Sequence, residues 1–212
     1  HPSVIMIKRI IRTIRGRLIT FLNRPLKHFA HIGAYTRFSK RYIMLTGTKY
    51  IYIGDAVHIC PHVRIEAIDS HGSQRFSPSI VIEDRVSINQ NFHCTCAESV
   101  HIGKGTSITV SYTITANCGI FDIIHPHENI SKNPREEPLI TKPVFLGEDC
   151  LIGMNSVILP GAKLGDHVIV GANSTVREGI YPSFCVLAGS PAKIIKQYNK
   201  LSKQWEKPNN FL

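Results

Sequence analysis

The chain has 212 residues, 43% hydrophobic and 19% charged, which excludes wholesale disorder and suits one domain with an appendage. Its net charge of +10 is lodged at one end: residues 1–54 hold 11 Lys and Arg and no acid, while 55–212 hold 14 against 15 Asp and Glu. A nucleic-acid-binding main domain would carry the basic surface itself, so nucleic acid is not the expected partner, whereas an anionic partner suits the N-terminal quarter.

Ile7, Ile10, Ile11, Ile14, Leu18 and Leu22 recur at helical spacing with Lys and Arg between them. This predicts an amphipathic basic helix ending near Asn23-Arg24-Pro25. Lys8, Arg9, Arg12, Arg15 and Arg17 interrupt every apolar run, so the segment reads neither as a signal-peptide core nor as a membrane span. Residues 1–49 are expected to form a basic helical arm. It either packs on the main domain or a neighbouring copy, or touches an anionic membrane. The chain is read as cytoplasmic, or as peripheral at the inner face of a membrane.

From residue 50 a beat of six residues takes over. Ile53, Ile59 and Ile65 keep it, then Ile82, Ile88, Cys94 and Val100, then Ile102, Ile108, Ile114 and Ile120. Leu146, Ile152, Ile158, Leu164, Val170 and Val176 follow without a slip, and Gly147, Gly153, Gly165 and Gly171 stand directly after four of them. Neither a helical nor a simple strand period explains this. The repeat predicts an all-β solenoid over 50–186, each hexad one short strand and one corner, with three hexads to a triangular coil of about 18 residues and room for about six coils. The small residue after each aliphatic lets the backbone turn a tight corner.

Two stretches break the beat: the polar turn Asp69–Ser79, and a longer insertion at about 121–144 that holds Asp122, His125, His127 and Glu128. Loops on solenoids often carry function. Histidine is suited to take a proton near neutral pH. The cysteines Cys60, Cys94, Cys96, Cys118, Cys150 and Cys185 have no zinc-ligand spacing and read as reduced and buried. Residues 187–212 are expected to form a loop, a short helix over 194–205 and a tail.

The hexads, together with LAGSPAKIIK at 187–196, resemble the hexapeptide-repeat acyltransferases, in particular their sugar O-acetyltransferase branch. The likeness covers roughly residues 50–196. It implies a left-handed parallel β-helix and a homotrimer with its sites between subunits. It also implies acetyl-CoA as co-substrate, with no metal. His125, in Asp122-Ile-Ile-His125-Pro126, matches the loop histidine that serves as base, with His127 as rival. Asn91 matches the asparagine that meets the acceptor, and Asp122, His127 and Glu98 are further acceptor-side candidates. Met154 and Ala172 fall one coil apart where the family lines its pantetheine groove, beside Leu151. Arg177, Lys193 and Lys196 fall near the positions that meet nucleotide phosphates, which cations hold by charge-assisted bonds.

These matches point to transfer of acetyl from acetyl-CoA to a sugar hydroxyl of a polysaccharide or lipid-linked saccharide, with His125 as general base. The alternatives are acetylation of an amino sugar or an antibiotic, a γ-type carbonic anhydrase, and a non-catalytic solenoid. The γ-type enzymes need three zinc-binding histidines, and the pairs His58/His62 and His125/His127 lack the required spacing.

Overall fold

A computed structural model of the chain describes residues 2–108 and 117–208. Helix α1 (Pro2–Leu22) leads into a solenoid of seven coils, whose three faces are sheets of seven, nine and six strands. Within each coil the chain visits the first, second and third face in turn, and successive coils pair in parallel. The solenoid is a left-handed parallel β-helix, as expected.

The hexad aliphatics are the inward rungs. On the second face, register joins Phe38, Ile59, Ile88, Ile108, Ile152, Val170 and Leu187 in one row. On the third face Leu45, Ile65, Cys94, Ile120, Ile158 and Val176 form another. Every residue of these rows is buried. Burial of each such side chain contributes about 1.5–3 kcal/mol, and the rung above is always there to receive it. Ile114 of the repeat lies outside the described residues.

The glycine that follows most first-face aliphatics, though not Ile82, has a steric reason. A Cβ on Gly147 would lie 2.5 Å from Asp166 Oδ1 and 2.6 Å from the Gly165 carbonyl carbon of the next coil. The same aspartate accepts a bond from Glu148 N at 2.9 Å. Close stacking at this corner therefore needs a residue without a side chain, and a carboxylate above it satisfies the turn's amide.

Two expectations fail here. The N-terminal arm is shorter than 1–49. The helix ends at Leu22, and His31–Ile32, Arg37–Phe38 and Met44–Thr46 form a first coil that pairs with the second. Phe38 and Leu45 are its inward residues, seven apart rather than six, and the corner between them carries Lys40 and Arg41, so the beat is hidden.

The C-terminal segment is not a helix. Ala192–Asn199 folds back antiparallel on Cys185–Gly189, and Gln204–Glu206 pairs antiparallel with it in turn. The last coil would otherwise leave a strand edge unpaired, and the β-branched Ile194 and Ile195 suit an extended chain. Ile194, Ile195 and Tyr198 also fit a helical period, so spacing alone does not separate the two. Trp205 instead packs edge-on against Tyr198 with ring centroids 5.5 Å apart.

Candidate active site

Both insertions leave the solenoid at the corner between the third and first faces, after the second and fourth coils. The shorter one is a hairpin, Ser70–His71 against Gln74–Arg75, turning through Gly72 at φ 55°. The longer one has a neck in which Ile123–Ile124 pairs antiparallel with Ile140–Thr141. A two-way latch joins them. The Gln74 side-chain amide donates to Leu139 O at 3.0 Å, and Leu139 N donates to Gln74 Oε1 at 2.6 Å.

The latch sets two histidines side by side. His125 is exposed on the long loop, and the ring of His71 stands 6.2 Å from it, nearly perpendicular. In Gln74→Ala, the Leu139 amide should exchange its hydrogen about three- to tenfold faster, as expected for loss of one net hydrogen bond. Unchanged protection at Leu139 would mean that the latch does not hold the loop.

Asp122 is not available to an acceptor, contrary to the sequence expectation. It is fully buried, and its carboxylate accepts from the backbone amides of Ala97 (2.8 Å), Glu98 (2.7 Å) and Ser99 (2.8 Å). The Lys142 amide donates to its carbonyl at 2.8 Å. Asp122 thus staples the root of the long loop to the corner of the coil below, where its carboxylate satisfies one buried and two part-buried amides. Glu98 sits at that corner, exposed, and accepts from Thr141 Oγ1 at 2.6 Å. His127 is exposed two residues past His125, with its amide on Glu128 Oε2 at 3.0 Å.

Other expected residues lie at a different corner, between the second and third faces. Asn91 occupies it at φ 60°, as do Asn155 and Asn173 at φ 57° in later coils. Asparagine tolerates this left-handed conformation better than most residues. Met154 and Ala172 stack at the same corner. Asn173 N donates to Met154 O at 2.9 Å, and a Cβ on Gly153 would lie 2.6 Å from Ala172 N. From Leu151 an outward row on the second face runs through Ile169 and Val186 to Lys196.

A bulge brings Lys193 onto that outer side. Lys193 pairs with Ala188 and Lys196 with Val186, because the register slips between Val186 and Leu187. Residues three apart in a regular strand point to opposite faces, and the slip restores a shared one. Arg177 is exposed just after Thr175–Val176 of the third face, and Thr175 Oγ1 accepts from Ser190 Oγ at 2.9 Å.

Sequence reasoning missed the ground between the two corners. On the outer third face register sets His93 beside Arg64 and Gly119, and Thr95 beside Glu66 and Phe121. Phe121 lies edge-on to His93 with centroids 5.0 Å apart, and its ring covers Gly119, where a Cβ would be 2.5 Å from Phe121 Cε2. His93 Nε2 is 3.3 Å from Glu66 Oε2 and 3.1 Å from Thr95 Oγ1. Burial pushes the Glu66 carboxyl up, but hydrogen bonds from Arg64 and His93 outweigh it and hold the group below its ordinary range. Asn91, His93, Asn117, Gly119 and Phe121 line one groove across this face. Its signal was outward alternation within the strands, legible only once register is known.

The buried thiols make poor nucleophiles. Burial pushes Cys118 up to about 12 and Cys185 up to about 11, and raises Cys94 well above the ordinary thiol range. Among the described residues no three His, Cys, Asp or Glu side chains converge as a metal site.

The architecture is that of a stacked hexad solenoid with a stapled histidine loop at one corner. Residues 143–178 match the family described as "Bacterial transferase hexapeptide (six repeats)". Over these residues the chain is similar to the hexapeptide-repeat transferases. It is 41% identical over 129 residues to WbbJ of Escherichia coli K12, whose name assigns it to O-acetyl transfer in lipopolysaccharide biosynthesis. That match covers 60% of this chain and 65% of WbbJ. A protein of Mycobacterium tuberculosis, named as an acetyltransferase, is 26% identical over 148 residues, covering 70% of this chain and 42% of the relative. The chain thus spans less than two thirds of either relative. In fold it resembles a mutant of AntD, an N-acyltransferase from Bacillus cereus crystallised with dTDP and coenzyme A. The TM-score is 0.60 at 17% identity, over 87% of this chain and 90% of that one.

Proposed function

We propose that the protein is an acetyl-CoA-dependent O-acetyltransferase acting on a saccharide hydroxyl, with His125 as general base. The observation that carries this reading is the placement of His125 on a loop stapled by Asp122 and latched by Gln74, at the edge of a family scaffold. The likeness to WbbJ favours a hydroxyl of a polysaccharide or lipid-linked saccharide as acceptor.

The imidazole of His125 takes the hydroxyl proton as the oxygen attacks the thioester carbonyl. A backbone N–H holds the oxyanion of the tetrahedral intermediate. Collapse breaks the carbon–sulfur bond, and the proton on His125 leaves with the CoA thiolate. No acyl-enzyme is needed, which agrees with the raised thiols. Leu151, Met154 and Ala172 would border the pantetheine arm, with Arg177, Lys193 and Lys196 toward the phosphates. Asn91, Glu98 and His127 remain the acceptor-side residues of the proposal.

His125 stands at the third-to-first corner, which Arg177 shares two coils on, whereas Met154 and Ala172 stand at the second-to-third corner of the same prism. This supports a trimer in which the histidine corner of each copy meets the donor corner of the next, a head-to-tail contact that closes into a ring. The place that goes with this reading is the cytoplasm, at the inner face of a membrane when the acceptor is lipid-linked. The test is transfer of labelled acetyl from acetyl-CoA to a saccharide panel that includes amino sugars. O-acetyl product that disappears in His125→Ala supports the proposal. Acetyl found only on amines, or none transferred to any acceptor while acetyl-CoA binds, overturns the hydroxyl assignment.

A further inference from the structure

We propose that α1 is an in-plane membrane anchor that lays its apolar face into an anionic phospholipid surface. The inference stands apart from the acyl-transfer reading, because no residue in it belongs to the candidate site.

The helix is docked with its polar side inward. Gly16 and Thr20 are its buried residues. The ring of Tyr35 lies against Gly16, and Tyr35 N donates to Gly16 O at 3.1 Å. Thr20 Oγ1 donates to Gly33 O at 2.9 Å and accepts from Thr36 N at 3.0 Å. At about 100° per residue, these two sit roughly 160° round the helix from the centre of the stripe Ile7, Ile10, Ile11, Ile14, Leu18 and Leu22. That stripe therefore points away from the solenoid. Each of its residues is between 50% and 62% exposed. A surface helix of a water-soluble domain normally does the reverse, burying its apolar stripe and wetting its polar face.

The charge says what covers the stripe. On the same helical projection Lys8 and Arg15 flank one side of it and Arg17 the other. None of the three forms an ion pair among the described residues. A second copy is a poor occupant. Residues 1–54 contain no acid, so two such helices face to face would set cations against cations. A phospholipid surface supplies both an apolar layer and a rim of phosphates. The helix lies in the plane and does not span: no helix among the described residues is long and apolar enough to cross a membrane.

The test is co-sedimentation of the full chain with vesicles of equimolar phosphatidylglycerol and phosphatidylcholine, against phosphatidylcholine alone, at about 0.1 M salt. The wild type should bind the anionic vesicles and bind the neutral ones at least about tenfold more weakly. Ile10→Glu with Ile14→Glu, and separately Arg15→Glu with Arg17→Glu, should each lower anionic binding by about tenfold or more. These side chains are exposed, so melting temperature should not move, and Leu18→Trp should shift its emission to the blue only with anionic vesicles. Wild type that stays in the supernatant overturns the proposal, as does full binding by the Ile10→Glu, Ile14→Glu variant. A smaller oligomer for that variant in sedimentation equilibrium, without vesicles, would assign the stripe to a second copy instead. The readout needs no acetyl-CoA, so its failure is separate from any failure of the acetyltransferase reading.

Discussion

His125→Ala should lower acetyl transfer by about 10²–10⁴-fold, the usual contribution of a positioned general base, and leave acetyl-CoA binding unchanged. The two readouts separate because the base acts in the transfer step, whereas the proposed donor contacts are made by other residues, among them Met154, Ala172, Lys193 and Lys196. His127→Ala is the control. It is exposed on the same loop, and its loss should cost far less if the proton goes to His125. Equal losses in the two variants would contradict the assignment. His71→Ala should fall between them, since its ring only flanks that of His125.

Asp122→Ala should be the most destabilising single change at the site. It removes the acceptor from three amides, those of Ala97, Glu98 and Ser99. The Ala97 amide is buried and costs about 1–3 kcal/mol when left without a partner, and the two part-buried bonds each contribute about 0.5–1.5 kcal/mol, so the loss should be about 3 kcal/mol. For a chain of this size that corresponds to a fall in melting temperature of about 6–12 °C. Asp122→Asn should be intermediate. Its one carbonyl oxygen can keep the bonds to Glu98 and Ser99, but its NH2 then faces the Ala97 amide, donor against donor. Calorimetric melting of the two variants checks the order. If Ala and Asn melt together with the wild type, the carboxylate is no staple.

The rungs from Leu146 to Val176 were legible because one residue type at one spacing does one job, and each is buried on the rung before it. The same logic hid the first coil. The rung from Phe38 to Leu45 is one residue longer, and its corner is basic, so the charge pattern of the arm ran over it. At the C-terminus the local pattern misled, since Ile194, Ile195 and Tyr198 fit a helix. The unpaired edge of the last coil decided for a strand.

At the candidate site the histidine loop could be read from composition, but the role of Asp122 could not. Its partners lie 23 to 25 residues back, at a corner that only register brings beneath the loop. The Gln74–Leu139 latch spans 65 residues and joins two insertions that look unrelated along the chain. Glu66, His93 and Phe121 converge for the same reason: three coils bring them to one outer face.

The most direct test of the central claim is calorimetric titration of acetyl-CoA into the wild type and into Lys193→Ala with Lys196→Ala. Both lysines are exposed on the outer second face at the end of the row from Leu151, so the variant should fold as the wild type does. The account predicts saturable binding to the wild type and about tenfold or more weaker binding to the variant, the scale of one or two lost charge-assisted contacts. No binding by the wild type at millimolar acetyl-CoA would contradict it.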